Sequence, residues 1–180
     1  MFINSYTFNY VFIISISKQQ YFFYRLSHLI PIQWQIILLN DGSLTEVLNY
    51  LNEKQITFNM FQKNNYAINN NRYLRYIWME DNIYTKMMFA ESLWQFKYIN
   101  NNKEEDTLKY NIPIGKLIIN TKVDIYKKIH EIYYGYSIKL ENKLNYHQPI
   151  WGRKYTLYYK NQLFITIKEF FSPGIINYFY

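Results

Sequence analysis

A chain of 180 residues is long enough to form one domain with a buried pocket. Hydrophobic residues make up 49% of the chain and aromatic residues 21%, which excludes wholesale disorder. The absence of cysteine excludes disulfides, thiolate nucleophiles and cysteine metal sites. The formal net charge of +7 suits either a nucleic acid or an acidic metabolite, and the clustering of the charges decides between them.

The basic residues do not form a cluster of the kind that nucleic-acid-binding proteins carry. The densest pairs, Lys127-Lys128 and Arg153-Lys154, are short and lie beside apolar residues, and no RNA-binding motif accompanies them. The three histidines lie far apart and lack the spacing of metal ligands. We therefore predict a protein without a nucleic-acid partner, a metal or a cofactor.

The first stretch, Met1 to Ser17, is uncharged, but polar residues interrupt it. It is too short and too polar for a membrane span, and it lacks the charge pattern of a signal or transit peptide. The excess of Tyr, Phe, Ile, Asn and Lys, which have A/T-rich codons, indicates a biased genome such as that of an organelle. If the protein acts in an organelle, the missing presequence favours synthesis there.

Two helices are predicted early in the chain. The first opens after Pro31 and stops at Asn40. For the second, Ser43 and Glu46 have capping-box spacing, and apolar residues recur with helical period to about Lys54.

A third helix is predicted over Val123 to Tyr134. Its apolar residues fall near one helical face, and its charged residues lie elsewhere. The helix is expected to end near Gly135.

The remaining apolar segments predict strands, with residues 100–109 as a loop before the apolar segment 112–115. The predicted strands cover residues 56–60, Arg72 to Met79, Ile83 to Ala90, Arg153 to Lys160 and Leu163 to Phe171. Paired strands with helices before and between them favour the α+β class, an antiparallel sheet with helices on one face. We expect an N-terminal extension with a first element over residues 1–30 and a single domain over residues 31–180.

Two charged residues fall within apolar rows of the predicted strands. Period-two alternation places Glu169 in one row with Ile165, Ile167 and Phe171. A carboxylate there must be paired or must carry a raised pKa, and the commoner outcome is a structural ion pair. Arg75 is flanked in the same way, and it suits either a substrate carboxylate or the role of structural partner to Glu169.

Arg153 follows Trp151-Gly152 and shares a face with Tyr155 and Leu157. It is either a second anion-binding group or, as is commoner for an arginine that starts a strand beside tyrosines, a stacked residue at the rim.

Five short segments occur in a fixed order between Pro31 and Pro173. They are PIQWQIILLNDGSLT (31–45), YLRYIWMEDNIYTKMMFAE (73–91), IPIGKL (112–117), WGR (151–153) and ITIKEFFSP (165–173). Together they resemble the chorismate lyase family, including its plastid-encoded branch of hypothetical proteins from red algae and their relatives.

The resemblance implies an antiparallel sheet with helical flaps over a buried ligand. It also implies conversion of chorismate to 4-hydroxybenzoate and pyruvate by a monomer without a cofactor, in a plastid (chloroplast) and for quinone biosynthesis. The carboxylate-binding arginine resembles Arg75, and the catalytic glutamate resembles Glu169. Leu44 and Ile114 match positions that line the product pocket, and Arg153 is expected to steady the enolpyruvyl carboxylate.

One departure concerns the arginine that bacterial relatives place soon after the second hairpin strand. This chain has Ala90-Glu91-Ser92-Leu93-Trp94 there. The apolar row of Glu169 leads us to expect a pKa raised toward neutrality and a general-acid role. The alternatives are a non-catalytic protein of the same fold that binds a small aromatic acid, and a basic organellar RNA-binding protein.

Overall fold

The computed structural model of the protein describes residues 7–16, 28–51, 59–69, 72–80, 85–95, 125–159 and 162–180. Within these residues lie seven strands: β1 (Asn9–Ser15), β2 (Asn59–Asn69), β3 (Arg72–Glu80), β4 (Lys86–Gln95), β5 (Ile125–Tyr136), β6 (Ile150–Tyr159) and β7 (Gln162–Phe171). They form one sheet in the spatial order β1-β5-β6-β7-β4-β3-β2, and each neighbouring pair is antiparallel. The predicted α+β class with an antiparallel sheet is confirmed.

The described helices are α1 (Ile32–Leu38), α2 (Leu44–Leu51), α3 (Ile138–Leu144) and a 3₁₀ helix (Pro173–Phe179). Pro31 precedes α1, as its sequence predicts, because proline lacks an N–H that the first turn would leave unpaired. The Oγ of Ser43 accepts a hydrogen bond from the backbone N–H of Glu46 at 3.5 Å, which is half of the predicted capping box.

The larger core lies on what we call the first face of the sheet, under α1, α2 and the 3₁₀ helix. Its buried sheet residues include Ile77, Met79, Met88, Ala90, Ile132, Trp151 and Phe171. From the helices come Trp34, Ile37, Leu38, Leu44, Leu48 and Ile175. The opposite side, the second face, packs residues such as Trp78, Phe89 and Phe170 against Leu140 and Leu144 of α3. Helices therefore cover both faces of the sheet, whereas the sequence predicted them on one face.

The prediction of a helix over residues 123–134 is wrong, because residues 125–136 form strand β5. A bulge explains the misleading pattern. Ile129 pairs with Tyr155 and Ile132 pairs with Arg153, so three residues of β5 span only two of β6. The extra residue places Ile129 and Ile132 on one face at a spacing of three, which imitates a helical repeat.

Strand β4 begins and ends later than the sequence predicts. The prediction ended at Ala90, whereas the strand continues to Gln95 and pairs with β3 and β7 along this length. Residues 90–94 therefore lie inside the sheet, and Ser92 and Trp94 alternate onto the first face beside Arg75. The predicted loop 100–109 and the segment 112–115 lie outside the described residues.

In the part of the chain that the structure describes, no helix has the length and apolar character to span a membrane.

Candidate active site

The central feature of the first face is a buried ion pair between Arg153 and Glu169, which stand opposite each other on β6 and β7. Arg153 Nε donates to Glu169 Oε2 at 2.7 Å. Arg153 Nη1 donates to the carbonyl oxygens at the end of α1, those of Ile37 (2.9 Å), Leu38 (3.2 Å) and Asn40 (2.9 Å). The guanidinium thus ties the end of α1 to the centre of the sheet.

Arg153 is not the rim residue that is usual at the start of a strand. It is only 1% exposed, because the strand begins earlier, at Ile150, and α1 covers it. Nε and Nη1 of Arg153 are occupied by protein acceptors, and its role on the enolpyruvyl carboxylate stays a prediction.

Glu169 is 6% exposed. Its Oε1 accepts a hydrogen bond from the Tyr155 hydroxyl at 2.8 Å. Burial alone would raise its pKa, but the charges of Arg153 and Lys127 and the two side-chain hydrogen bonds together hold the pKa below its usual value. The expectation of a raised pKa is therefore wrong, and Glu169 is ionised at neutral pH, so it accepts hydrogen bonds and does not donate one.

Lys127 lies beside this pair and was missed by sequence reasoning, which placed it on the outside of a helix. Its Nζ donates to the carbonyl of Asn40 at 2.9 Å and stands 4.4 Å from the centre of the Tyr155 ring. Burial, reinforced by the charge of Arg153, lowers the pKa of Lys127 to about 8, against the opposing effects of Glu169 and Asp41.

Arg75, on β3, is 2% exposed, and its Nε and Nη2 have no hydrogen-bond partner among the described residues. Burial lowers its pKa to about 10, so the guanidinium stays charged at neutral pH. These two nitrogens form one edge of the guanidinium, the edge that holds a carboxylate by two parallel hydrogen bonds. The structural partner of Glu169 is Arg153, so the alternative that assigned this role to Arg75 is wrong.

An apolar cluster on the first face extends from Trp94, beside Arg75, to Tyr155, and we call it the floor. It consists of Trp94, Tyr155, Leu157, Ile165 and Ile167. The guanidinium carbon of Arg75 stands 6.0 Å from the centre of the Trp94 ring. The indole N–H of Trp94 donates to Ser92 Oγ at 2.9 Å, which fixes the ring in place.

Strand register sets the separation of Arg75 from Glu169. Arg75 pairs with Ser92 and Ser92 with Ile167, which precedes Glu169 by two positions on β7. With strands ~4.8 Å apart and a rise of ~3.4 Å per residue, the two Cα atoms are roughly 12 Å apart. Arg75 and Glu169 thus lie on the same face of the sheet, two strands apart.

Two further residues, Leu44 and Ile114, were predicted to line the product pocket. Leu44 is buried in the core of the first face, at the start of α2, and Ile114 lies outside the described residues. Within the described residues, no cluster of three or more His, Asp or Glu side chains could hold a metal.

Glu91 is a buried carboxylate on the second face, away from the floor. It is 4% exposed, its Oε1 has no hydrogen-bond partner among the described residues, and burial raises its pKa to about 7 against the opposing charge of Lys168.

Comparison with known proteins identifies the family. Residues 38–179 match a family described as chorismate pyruvate-lyase Rv2949c-like. A relative named "Uncharacterized protein ycf21" from Antithamnion sp. is 41% identical over 155 residues, 86% of each chain. Proteins of the same name from Porphyra purpurea (38% over 154 residues; 83% of this chain, 86% of the relative) and Cyanophora paradoxa (31% over 164 residues; 83% and 81%) also match. The chain therefore belongs to the chorismate pyruvate-lyase-like family, and the resemblance found in five segments is confirmed.

Proposed function

We propose, from this family membership, that the protein converts chorismate to 4-hydroxybenzoate and pyruvate. The observation that carries the proposal is the open edge of Arg75. A buried guanidinium with two unpaired N–H groups costs stability. A planar carboxylate at that edge removes the cost by forming two charge-assisted hydrogen bonds, so the site favours an aromatic or dienyl carboxylic acid.

In this proposal Arg75 holds the ring carboxylate, and the ring lies on the floor with its far end toward Glu169 and Tyr155. The distance between Arg75 and Glu169 suits a ring with polar groups at opposite ends. Fixing both ends orients the reacting carbon atoms, which is a large part of catalysis for a reaction without a second substrate.

Glu169, held ionised by Arg153, accepts the proton from the ring carbon that carries the hydroxyl group. The electrons of that C–H bond form the third double bond of the ring, and the neighbouring C–O bond to the enolpyruvyl group breaks. Enolpyruvate leaves with the bonding electrons and takes up one proton at its terminal carbon to become pyruvate. Atoms and electrons balance without an oxidant, and aromatisation drives the reaction.

We further propose that the reaction takes place in a plastid, where 4-hydroxybenzoate would supply a quinone head group. The matched relatives from Antithamnion, Porphyra and Cyanophora support an algal origin.

The direct test is to add chorismate to the purified protein and to measure pyruvate and 4-hydroxybenzoate in equal amounts. Arg75→Met should reduce kcat/KM by about 10²- to 10³-fold, because two charge-assisted hydrogen bonds are lost. Lys143→Met, on α3, is the matched control and should retain wild-type activity. Equal activity in Arg75→Met and wild type would refute the assignment.

The second candidate is a binding protein without turnover, favoured by the absence of arginine in residues 90–94. In that case calorimetry would detect 4-hydroxybenzoate binding to the wild type and weaker binding to Arg75→Met, while chorismate would yield no pyruvate.

A further inference from the structure

Chorismate has two carboxylates, and the unpaired guanidinium edge of Arg75 is assigned above to the one on the ring. Arg153 is poorly suited to the other, because its Nε holds Glu169 and its Nη1 holds three carbonyl oxygens. Lys127 is a third cation on this face.

At each end of the floor, a cation lies above an aromatic ring. Arg75 stands over Trp94, and Lys127 stands over Tyr155, 4.4 Å from the ring centre, with the guanidinium carbon of Arg153 5.2 Å from the same centre. Both rings belong to the same apolar cluster. A ligand lying on this cluster therefore has one cation beside Trp94 and another beside Tyr155, an arrangement that suits a dicarboxylate.

The ammonium group of Lys127 has donors to spare. A lysine ammonium has three N–H donors, and one of them goes to the carbonyl of Asn40. That hydrogen bond fixes the direction of the side chain without neutralising it. A group held in this way is ready to bind an anion at low entropic cost.

We propose that Lys127 binds the enolpyruvyl carboxylate of the substrate, while Arg75 binds the ring carboxylate. This inference rests on the proposed function of the same site. Since pyruvate carries this carboxylate away, Lys127 contacts the substrate and the leaving group but not the aromatic product. It therefore distinguishes chorismate from 4-hydroxybenzoate.

The charges around Lys127 agree with this role. The groups that face it are Arg153 and Tyr155 on β6, Glu169 on β7 and Asp41 after α1. The cation Arg153 and burial together outweigh the two carboxylates, so the free protein disfavours the charge on Lys127. A bound carboxylate reverses that penalty, and residues that cost stability in this way are concentrated at functional sites.

The experiment compares wild type with Lys127→Met and Lys127→Arg, and uses Lys128→Met, the next residue on β5, as the matched control. Lys127→Met should raise the KM for chorismate about 10- to 100-fold, the loss of one charge-assisted hydrogen bond. It should leave the Kd for 4-hydroxybenzoate within about twofold of wild type. Lys127→Arg should restore most of the affinity for chorismate, and Lys128→Met should behave as wild type.

A pH profile gives a readout that a structural role would not change. In the wild type, kcat/KM for chorismate should fall above about pH 8, where Lys127 loses its charge. This fall in kcat/KM should be absent in Lys127→Met. The Kd for 4-hydroxybenzoate should not change over the same pH range in either protein.

Two results would overturn the role of Lys127: an unchanged KM for chorismate in Lys127→Met, or an equal weakening of chorismate and 4-hydroxybenzoate. Failure of the proposed function is distinguishable from these results, because the wild type itself would then release no pyruvate from chorismate. Calorimetric titration of chorismate into the inactive protein then gives the same comparison of variants. A wild type that binds neither compound refutes both proposals.

Discussion

Arg75 and Arg153 lie on the same face of one sheet and are almost equally buried, at 2% and 1% exposure, yet their surroundings are opposite. Arg153 has a carboxylate at Nε and three carbonyl oxygens at Nη1. Arg75 has Nε and Nη2 without partners among the described residues. Burial of a guanidinium therefore does not identify its role. The state of its donors separates a structural arginine from one that is open to a ligand.

The largest expected effect is that of Arg153→Met on stability. Removing one partner of a buried ion pair leaves Glu169 uncompensated, so we expect a loss of about 3–5 kcal/mol in urea unfolding at pH 7. Lys154→Met, which breaks the half-exposed pair with Glu131, is the control and should cost less than about 1 kcal/mol. A loss below 1 kcal/mol for Arg153→Met would remove the contrast with Arg75.

The pH dependence of the stability of the wild type should reveal the ion pair between Arg153 and Glu169. The pKa of Glu169 is lower in the folded protein than its usual value. Its stabilising contribution is therefore present above the unfolded-state pKa and is lost as the pH falls through the folded-state pKa.

Glu91→Gln extends the comparison to a buried charge on the second face and should stabilise the protein. The pKa of Glu91 is raised to about 7 in the folded protein, which therefore favours the protonated side chain. The stability that this contributes is complete below the unfolded-state pKa and is lost as the pH rises through 7. At ~1.4 kcal/mol per pKa unit, the gain above pH 7 has an upper limit of about 3 kcal/mol. Urea unfolding at pH 8 and pH 4 should show the gain at pH 8 only, and a gain of equal size at both would contradict this explanation.

Arg75→Met should change stability in the direction opposite to Arg153→Met. Without ligand, replacing a buried charge that lacks partners by an apolar side chain should add about 1–2 kcal/mol. Addition of 4-hydroxybenzoate at 100 times its Kd should stabilise the wild type by about 2.7 kcal/mol and leave Arg75→Met unchanged. Destabilisation of the ligand-free variant by several kcal/mol would place Arg75 in the same class as Arg153.

Tyr155→Phe should have the smallest effect, about 1 kcal/mol, because it removes one hydrogen bond to Glu169 and leaves the ion pair with Arg153 in place. Thermal unfolding measures the change, and Tyr158→Phe, on the same strand but the other face, provides the control. If Tyr155→Phe matched Arg153→Met in its cost, the hydroxyl rather than the guanidinium would be the main support of Glu169.

The parts of the fold that were predicted correctly depend on residues that are close together in the sequence. Pro31 and Ser43 set the starts of α1 and α2 through backbone groups close by in the sequence. Alternation placed Arg75 and Glu169 in apolar rows, because side chains on a regular strand change face at each residue. β5 defeated the same reasoning, since its bulge changes the phase between Ile129 and Ile132.

The sequence by itself determined that Arg75 and Glu169 are charged residues on apolar strand faces, and it determined the family. The tertiary structure decided which charge meets which. Arg153 reaches carbonyl groups in and just after α1 that are 113 to 116 positions away in the chain, and Lys127 reaches Asn40 across 87 positions. The pairing of Glu169, the sign of its pKa shift and the open edge of Arg75 all follow from such long-range contacts, which no local pattern encodes.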